Sequence, residues 1–551
     1  MEKKELQTER TSSHAEGQLE HLSDHHELEL LGYRPELQKN RSMLTLLFQS
    51  LAIAAIPYGE GAPLISAIYG GGQLSIFVGW IVVLALNECI ALSLGELASK
   101  YPTSAGPYYW SFQIAKNSKV VLSFITGWIW LIGNWTITLS VNFGFASLIS
   151  ATVSMYHPDF APPAWQLLLI FYAICLMTMI ICIFGNKYLP TVDMICAAFT
   201  AISILIIMIA LSVKADVGRH SASYALGHYD TSFSGWGGFT FFIGLLPAAY
   251  TFSAIGMISA MAEEVDHPAT KVPTAISLCV PVGGIAGLFF IIPICVTLPP
   301  LKDIINAPVL VIINPELSHY QLHKQTQSPP PQNPQPKTSQ LTHTPPAAQA
   351  LPYIFHIVMG SPGGGLGLTF LVLLITLFCS ISITVAASRC TWAFARDDAI
   401  PGASIFSKVH TGLGVPINAI ILTTLVQMLL GLINLGSTSA FTAFVSVGVQ
   451  ALAVSYAIPI AISLLNGRRD VSTAKWNCGK ILGPVVNLVA LVWICFEVVL
   501  FSMPTALPVT VVSMNYASVV LVGFMTLAAL WYFAYARKVY KGPPESDGIA
   551  G

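Results

Sequence analysis

IPYGEGAPLISAIYGGG, residues 56–72, lies inside an apolar run that begins near Met43 and is long enough to cross a bilayer. Pro57, Gly59, Glu60, Gly61 and Pro63 fall together in its middle. A helix broken at that depth leaves backbone N–H and C=O groups unpaired, which hydrocarbon penalises heavily. Such a break persists where the freed groups face a cavity or a solute, whereas a simple packing kink needs only the proline. Two glycines flanking an acid point to the first reading, because glycine admits close backbone approach and a carboxyl is expensive in lipid.

Outward from this stretch, composition sets the class. Of the 551 residues, 54% are apolar and 10% charged, too apolar a mixture to wrap around one soluble core. The chain is expected to be an all-α polytopic membrane protein with the lipid bilayer as its surroundings. A formal net charge of -1 offers no basic surface, so nucleic acid is excluded as a partner. The ten cysteines lack metal-ligand spacing and read as small core residues; no metal and no cofactor is expected.

Apolar runs of spanning length occur twelve times, near residues 43–69, 74–97, 120–150, 164–184, 189–213, 237–262, 274–299, 366–388, 416–435, 438–464, 483–503 and 511–535. Placing both termini in the cytoplasm puts most of the 26 Lys and Arg residues on the inner side. The reading therefore divides the chain into a disordered cytoplasmic tail (1–41), a transmembrane domain (42–309 and 350–535) and a short cytoplasmic tail (536–551). A Pro/Gln-rich stretch over 310–349 is too poor in apolar residues to pack and reads as a disordered outer insertion, or as translated intron.

A carrier built from inverted repeats pairs its broken first span with a broken counterpart in the second repeat. The sixth span supplies one. FTFFIGLLPAAYTFSAIGMISAMAEEV (239–265) contains Pro247, then the small and polar run Tyr250, Thr251, Phe252, Ser253, and ends in Glu263 and Glu264. Tyr58, Tyr250 and Phe252 stand at the two breaks, where ring faces suit a cation. Glu88 in the second span is a further acid that must be protonated, paired or turned inward. Glu497, in the eleventh span, reads as structural, and Asp193 as an acid near a helix N-terminus.

Three stretches carry a resemblance: SLGELASKYPTSAGPYYW (93–110), SAMAEEVDHPATKVPTAI (259–276) and AASRCTWAFARDDAIPGASIFSKVH (386–410). They resemble a fungal member of the amino acid-polyamine-organocation superfamily, in the amino acid/choline transporter branch that includes choline and γ-aminobutyrate permeases. The resemblance implies a leucine-transporter-like core of five plus five helices with two more appended, and a solute site between the first and sixth helices. Gly59-Glu60-Gly61 corresponds to the glycine segment that receives a substrate carboxylate in such carriers, and with the residues at the two breaks the candidate substrate site is Tyr58, Gly59, Glu60, Gly61, Tyr250, Thr251, Phe252 and Ser253. An ionised Glu60 there would repel a carboxylate and favour an amine; the alternatives are that Glu60 carries the coupling proton or pairs with another helix. Glu60 and Glu88 are the proton-coupling candidates. Glu263, Glu264, Arg389 and Arg396 are gate candidates through Arg–carboxylate bonds, with a solvated helix end or a positive-inside anchor as the alternative.

The expected function is secondary-active transport of a small amine or amino acid, choline-, γ-aminobutyrate- or polyamine-like, driven by an ion gradient, in particular protons. The plasma membrane is the expected site and a vacuolar membrane the alternative. Export of an amine metabolite and nutrient sensing are the other functions this architecture serves. Cytoplasmic lysines near both termini are candidate ubiquitin acceptors through a ligase adaptor. No nucleotide-binding or hydrolase motif is placed for catalysis, so the chain is not read as an enzyme.

Overall fold

An apolar run surrounded by lipid becomes a helix because only that form pairs every backbone N–H and C=O within the segment. The computed structural model describes residues 28–157, 160, 162–306, 349–435, 438–510 and 514–546. It has twelve helices long and apolar enough to cross a membrane: α1 (Met43–Gly61), α2 (Gln73–Lys100), α3 (Lys119–Ser154), α4 (Ala164–Phe184), α5 (Asn186–Lys214), α6 (Gly237–Glu264), α7 (Pro268–Val296), α8 (Pro362–Arg396), α9 (Ile417–Leu435), α10 (Ala443–Leu465), α11 (Leu482–Leu500) and α12 (Ala517–Val539). At 36 and 35 residues, α3 and α8 exceed what the hydrocarbon needs and project beyond it.

Position in the bundle follows burial. Within their most apolar windows, α1, α3 and α6 are 78%, 72% and 83% buried, against 11% for α12. The centre is therefore built from α1, α3 and α6, with α8 alongside, and α12 faces lipid. Because lipid tails give no hydrophobic drive between helices, close packing at small residues has to hold the spans together. Trp80 of α2 lies against Gly287 of α7 and donates its indole N–H to Gly284 O at 3.0 Å. Across α3 and α10, a Cβ on Gly133 would come within 2.9 Å of Leu452, and one on Gly448 within 3.0 Å of Ile137.

Two tail assignments change. Residues 28–41, read as part of a disordered tail, are packed: Leu31, Tyr33, Leu37 and Arg41 are buried, beside Tyr109, Glu264 and Arg396. The apolar spacing in LELLGYRPEL (28–37) is the reason, since it lets a short segment cover a groove without forming a span. At the other end, residues 540–546 also dock, with Tyr540 buried. Of the Pro/Gln-rich insertion, positions 310–348 lie outside the described residues; Gln349 donates to Gly144 O at 3.2 Å.

Candidate functional site

The first interruption begins with Pro57. A proline cannot donate to the carbonyl four residues earlier, and its ring would strike that carbonyl, here Ile53 O. The helix Met43–Ala54 accordingly stops, Ala55 turns into the left-handed region (φ 41°, ψ 54°), and a second half starts at Ile56. Ile53 O, freed by the break, accepts the Cys379 thiol of α8 at 3.2 Å.

The break thus falls four residues before the Gly59-Glu60-Gly61 element on which the sequence reading centred it. Those three residues belong to the half-helix Ile56–Gly61. The glycines serve close approach instead: a Cβ on Gly59 would lie 2.7 Å from Ala54 O and 2.8 Å from Thr251 Oγ1, and one on Gly61 would lie 2.6 Å from Leu351.

The counterpart in α6 lies where expected in sequence. Pro247 starts the helix Leu246–Phe252, which ends at Ser253, and a ten-residue 3₁₀ stretch, Ile255–Glu264, follows. So long a 3₁₀ run inside a span marks a weak, hinge-like segment. Tyr456 of α10 secures the junction by donating to Ser253 O at 3.1 Å.

Between the breaks, Tyr58 donates to Val141 O of α3 at 3.1 Å. Next to it, Tyr250 Oη lies 2.9 Å from Ser140 Oγ. Ser140 gives its own hydrogen to Ile137 O at 2.8 Å, so Tyr250 is the donor of that pair. Two tyrosines, a serine and the Cys379 thiol therefore gather where α1, α3, α6 and α8 converge, all uncharged. Ser140 and Cys379 were missed from sequence, because a serine or cysteine in an apolar run carries no signal of its own.

The remaining sequence candidates spread around this cluster. Ser253 donates to Tyr250 O and Thr251 to Pro247 O, each at 2.9 Å, so both secure α6 itself. Phe252 turns the other way and packs on Trp80 of α2, ring centroids 5.3 Å apart. Glu60 is two positions from Tyr58, about 200° around a helix, and so points away from α3. It is 2% exposed, and one of its carboxyl oxygens has no hydrogen-bond partner among the described residues. Cys295 of α7 lies within its electrostatic reach. Glu88 has a similarly unpartnered oxygen and lies near Cys279, sixteen positions back along α7. That separation is about 24 Å of helix, so the two acids occupy different depths.

Below the cluster the four gate candidates meet with partners the sequence did not announce. Arg389 donates to Glu264 at 2.9 Å and to Asn186 at 2.8 Å. Arg41 reaches the other Glu264 oxygen at 3.1 Å and Asp193 of α5 at 3.1 Å, while Ser382 also donates to Asp193 at 3.0 Å. Both arginines and both acids are almost fully buried. At the end of α8, Arg396 grips Glu263 with two bonds of 3.0 Å, and its guanidinium lies 3.8 Å from the centre of the Tyr33 ring. Tyr33 and Tyr108 both donate to Asp397, at 2.9 and 2.7 Å. Burying so many charges is tolerable only because each is paired and hydrogen-bonded, and breaking one pair would strand its partner. The arrangement joins α5, α6, α8 and the residues leading into α1 through buried ion pairs on one side of the cluster.

If these ion pairs act as a gate, Asp397 gives that gate a pH dependence. Burial pushes its carboxyl up to about 6, against the opposing pull of Arg396 and the two tyrosine hydroxyls. Once solvated in an open gate it would return toward about 4. The closed gate then binds more protons between those values, so acidity stabilises closure and that stabilisation disappears as pH rises through 6. Solute release into an interior buffered at pH 5.5 is expected to be slower than at pH 7.5, and Asp397→Asn to lose the difference. Release that quickens with acid would refute the assignment.

Known proteins resemble this chain over nearly its whole length. The amino acid permease family profile matches residues 48–541. The choline transporter of Saccharomyces cerevisiae is 27% identical over 518 residues, covering 93% of this chain and 84% of its own. The polyamine transporter of the same yeast is 29% identical over 496 residues, 87% and 72% of the two chains. An amino-acid permease of Arabidopsis thaliana is 26% identical over 530 residues, 94% and 95%.

Proposed function

The chain belongs to the amino acid permease family, and from that premise we propose that it accumulates a small amine, choline-like, γ-aminobutyrate-like or polyamine-like, by proton-coupled alternating access at the plasma membrane. That it is a secondary transporter of amines or amino acids follows from the family and its relatives. The observation that carries the finer reading is the uncharged aromatic and hydroxyl cluster of Tyr58, Tyr250 and Ser140, set between two paired helix breaks and closed from the cytoplasm by buried ion pairs. Ring faces attract a desolvated cation by about 1–2 kcal/mol each, and hydroxyls orient it without a fixed counter-charge. Relatives named for choline and polyamines support the same class.

Coupling is assigned to Glu60, whose buried oxygen without a partner suits a proton better than a permanent charge. Inner-side Lys and Arg support cytoplasmic termini. α1, α2, α6 and α7 are proposed to rock against the other core helices, with the 3₁₀ stretch Ile255–Glu264 absorbing the movement.

The deciding experiment is a competition panel in proteoliposomes, with and without an imposed pH gradient: choline, γ-aminobutyrate, spermidine, a neutral and a basic α-amino acid. Gradient-dependent accumulation of the amines is expected; preference for ordinary α-amino acids would overturn the substrate assignment. Tyr250→Phe keeps the ring and loses the hydroxyl, so KM for the accepted amine is expected to rise about 3- to 10-fold with little change in the amount of protein at the membrane. An unchanged KM would remove Tyr250 from the site.

A further inference from the structure

A described segment near each end of the chain, residues 28–41 and 540–546, packs on one short helix, Pro107–Ile114. On one side Tyr109 donates to Leu31 O at 2.8 Å, and its ring centroid lies 5.6 Å from that of Tyr33. On the other side the Gln113 amide is used twice: Nε2 donates to Pro544 O at 2.7 Å, and Oε1 accepts from Ser546 N at 3.2 Å. Tyr540 anchors this C-terminal segment through Ser123 Oγ at 2.8 Å and a ring contact with Phe124 at 5.4 Å. Pro544 then joins the two segments, because its ring occupies the space that a side chain on Gly32 would fill.

The N-terminal segment that Pro544 covers touches the proposed inner gate. Tyr33 touches Arg396 and Asp397 at the end of α8, while Asn40 and Arg41 donate backbone N–H groups to Glu264 O at 3.1 Å each. This segment runs straight into α1. Opening toward the cytoplasm separates α1 and α6 from α8, and it cannot do so while Tyr33 stays bound to α8 and Asn40 to α6.

We propose that residues 540–546 form an autoinhibitory strap that pins segment 28–41 over the inner gate, so that the gate opens inward only when the strap releases Gly32 and Gln113. Beyond the Tyr540 anchor, the fastenings of residues 541–546 include two hydrogen bonds to Gln113, the Pro544 contact and the exposed Lys119–Glu545 pair at 3.3 Å, weak fastenings suited to reversible release. Anything that captures residues 540–546 would therefore speed transport without touching the solute site.

This inference rests on reading the buried ion pairs as an inner gate, and its test separates the two. In the full-length protein, Gln113→Ala removes both amide bonds. Amide hydrogen exchange over residues 28–41 is expected to quicken at least ~10-fold, and the initial rate of solute efflux from loaded proteoliposomes at least ~3-fold. Exchange that stays as slow as in the parent shows that the strap pins nothing, and faster exchange with unchanged efflux shows that it does not restrain the gate; either overturns the proposal while leaving the carrier reading intact. Should Gln113→Ala fail to reach the membrane, Pro544→Gly removes the ring that lies on Gly32 and leaves every gate residue in place. It is expected to raise efflux in the same direction, and unchanged efflux would again count against the strap. A parent protein that moves no solute would instead sink the gate reading.

Discussion

Arg389→Ala is expected to lower net solute accumulation at least ~100-fold at equal amounts of protein in the membrane. Arg389 is completely buried and holds one Glu264 oxygen at 2.9 Å and Asn186 at 2.8 Å. Its removal leaves that oxygen in a dry site with Arg41 bound only to the other. Breaking a buried pair in this way costs about 3–5 kcal/mol, and the closed state bears the cost because an open gate lets water reach Glu264. A carrier that cannot close its inner side leaks its gradient. Arg389→Lys keeps the charge but not the planar fork that spans Glu264 and Asn186, so an intermediate loss of about 10-fold is expected. Uptake by Arg389→Ala within three-fold of the parent would mean that the ion pairs do not act as a gate.

Glu60→Gln has the second largest expected effect, and it separates two roles for the acid. The substitution keeps shape and volume but removes the ability to take up and release a proton. If Glu60 couples transport to protons, amine accumulation driven by a pH gradient falls at least ~10-fold while gradient-free exchange of labelled for unlabelled amine stays within about 3-fold. If Glu60 touches the solute, exchange falls as well. Its orientation away from α3, about 200° around the half-helix from Tyr58, and its neighbour Cys295 on α7 favour the first outcome. Equal rates in both assays would leave Glu60 without a part in transport.

The tails illustrate how partial sequence signals mislead. LELLGYRPEL looks like the end of a polar tail because its apolar residues are too few for a span, yet Leu31, Tyr33 and Leu37 are enough to fill a groove that other helices provide. Phe252 misleads in the opposite direction. Two positions from Tyr250 in sequence it reads as a further ring for the site, but residues two apart on a helix point about 200° apart, and the ring lies on Trp80 instead. The shift of the first break from Gly59 to Ala55 has a similar origin: proline acts on the carbonyl four residues behind it, so the distortion appears upstream of the residues that advertise it.

The sequence by itself determined the class, the number of spans and the two interrupted ones, because each is a local requirement: about 20 apolar residues per crossing, every backbone group paired within its segment, and proline where that pairing fails. It also supplied Glu263, Glu264, Arg389 and Arg396 as candidates for Arg–carboxylate bonds, with a solvated helix end or a positive-inside anchor as the alternative. Only the tertiary structure decided that Glu264 takes Arg389 and Arg41 together, that Asp193 joins them, and that Ser140 and Cys379 complete the cluster at the breaks. Those partners lie more than a hundred residues apart, and spans that are apolar on nearly every side carry no stripe to declare which face turns inward. Rotation and depth of each helix are set by close packing at small residues against its neighbours, a property of pairs of helices that neither strand of sequence contains alone.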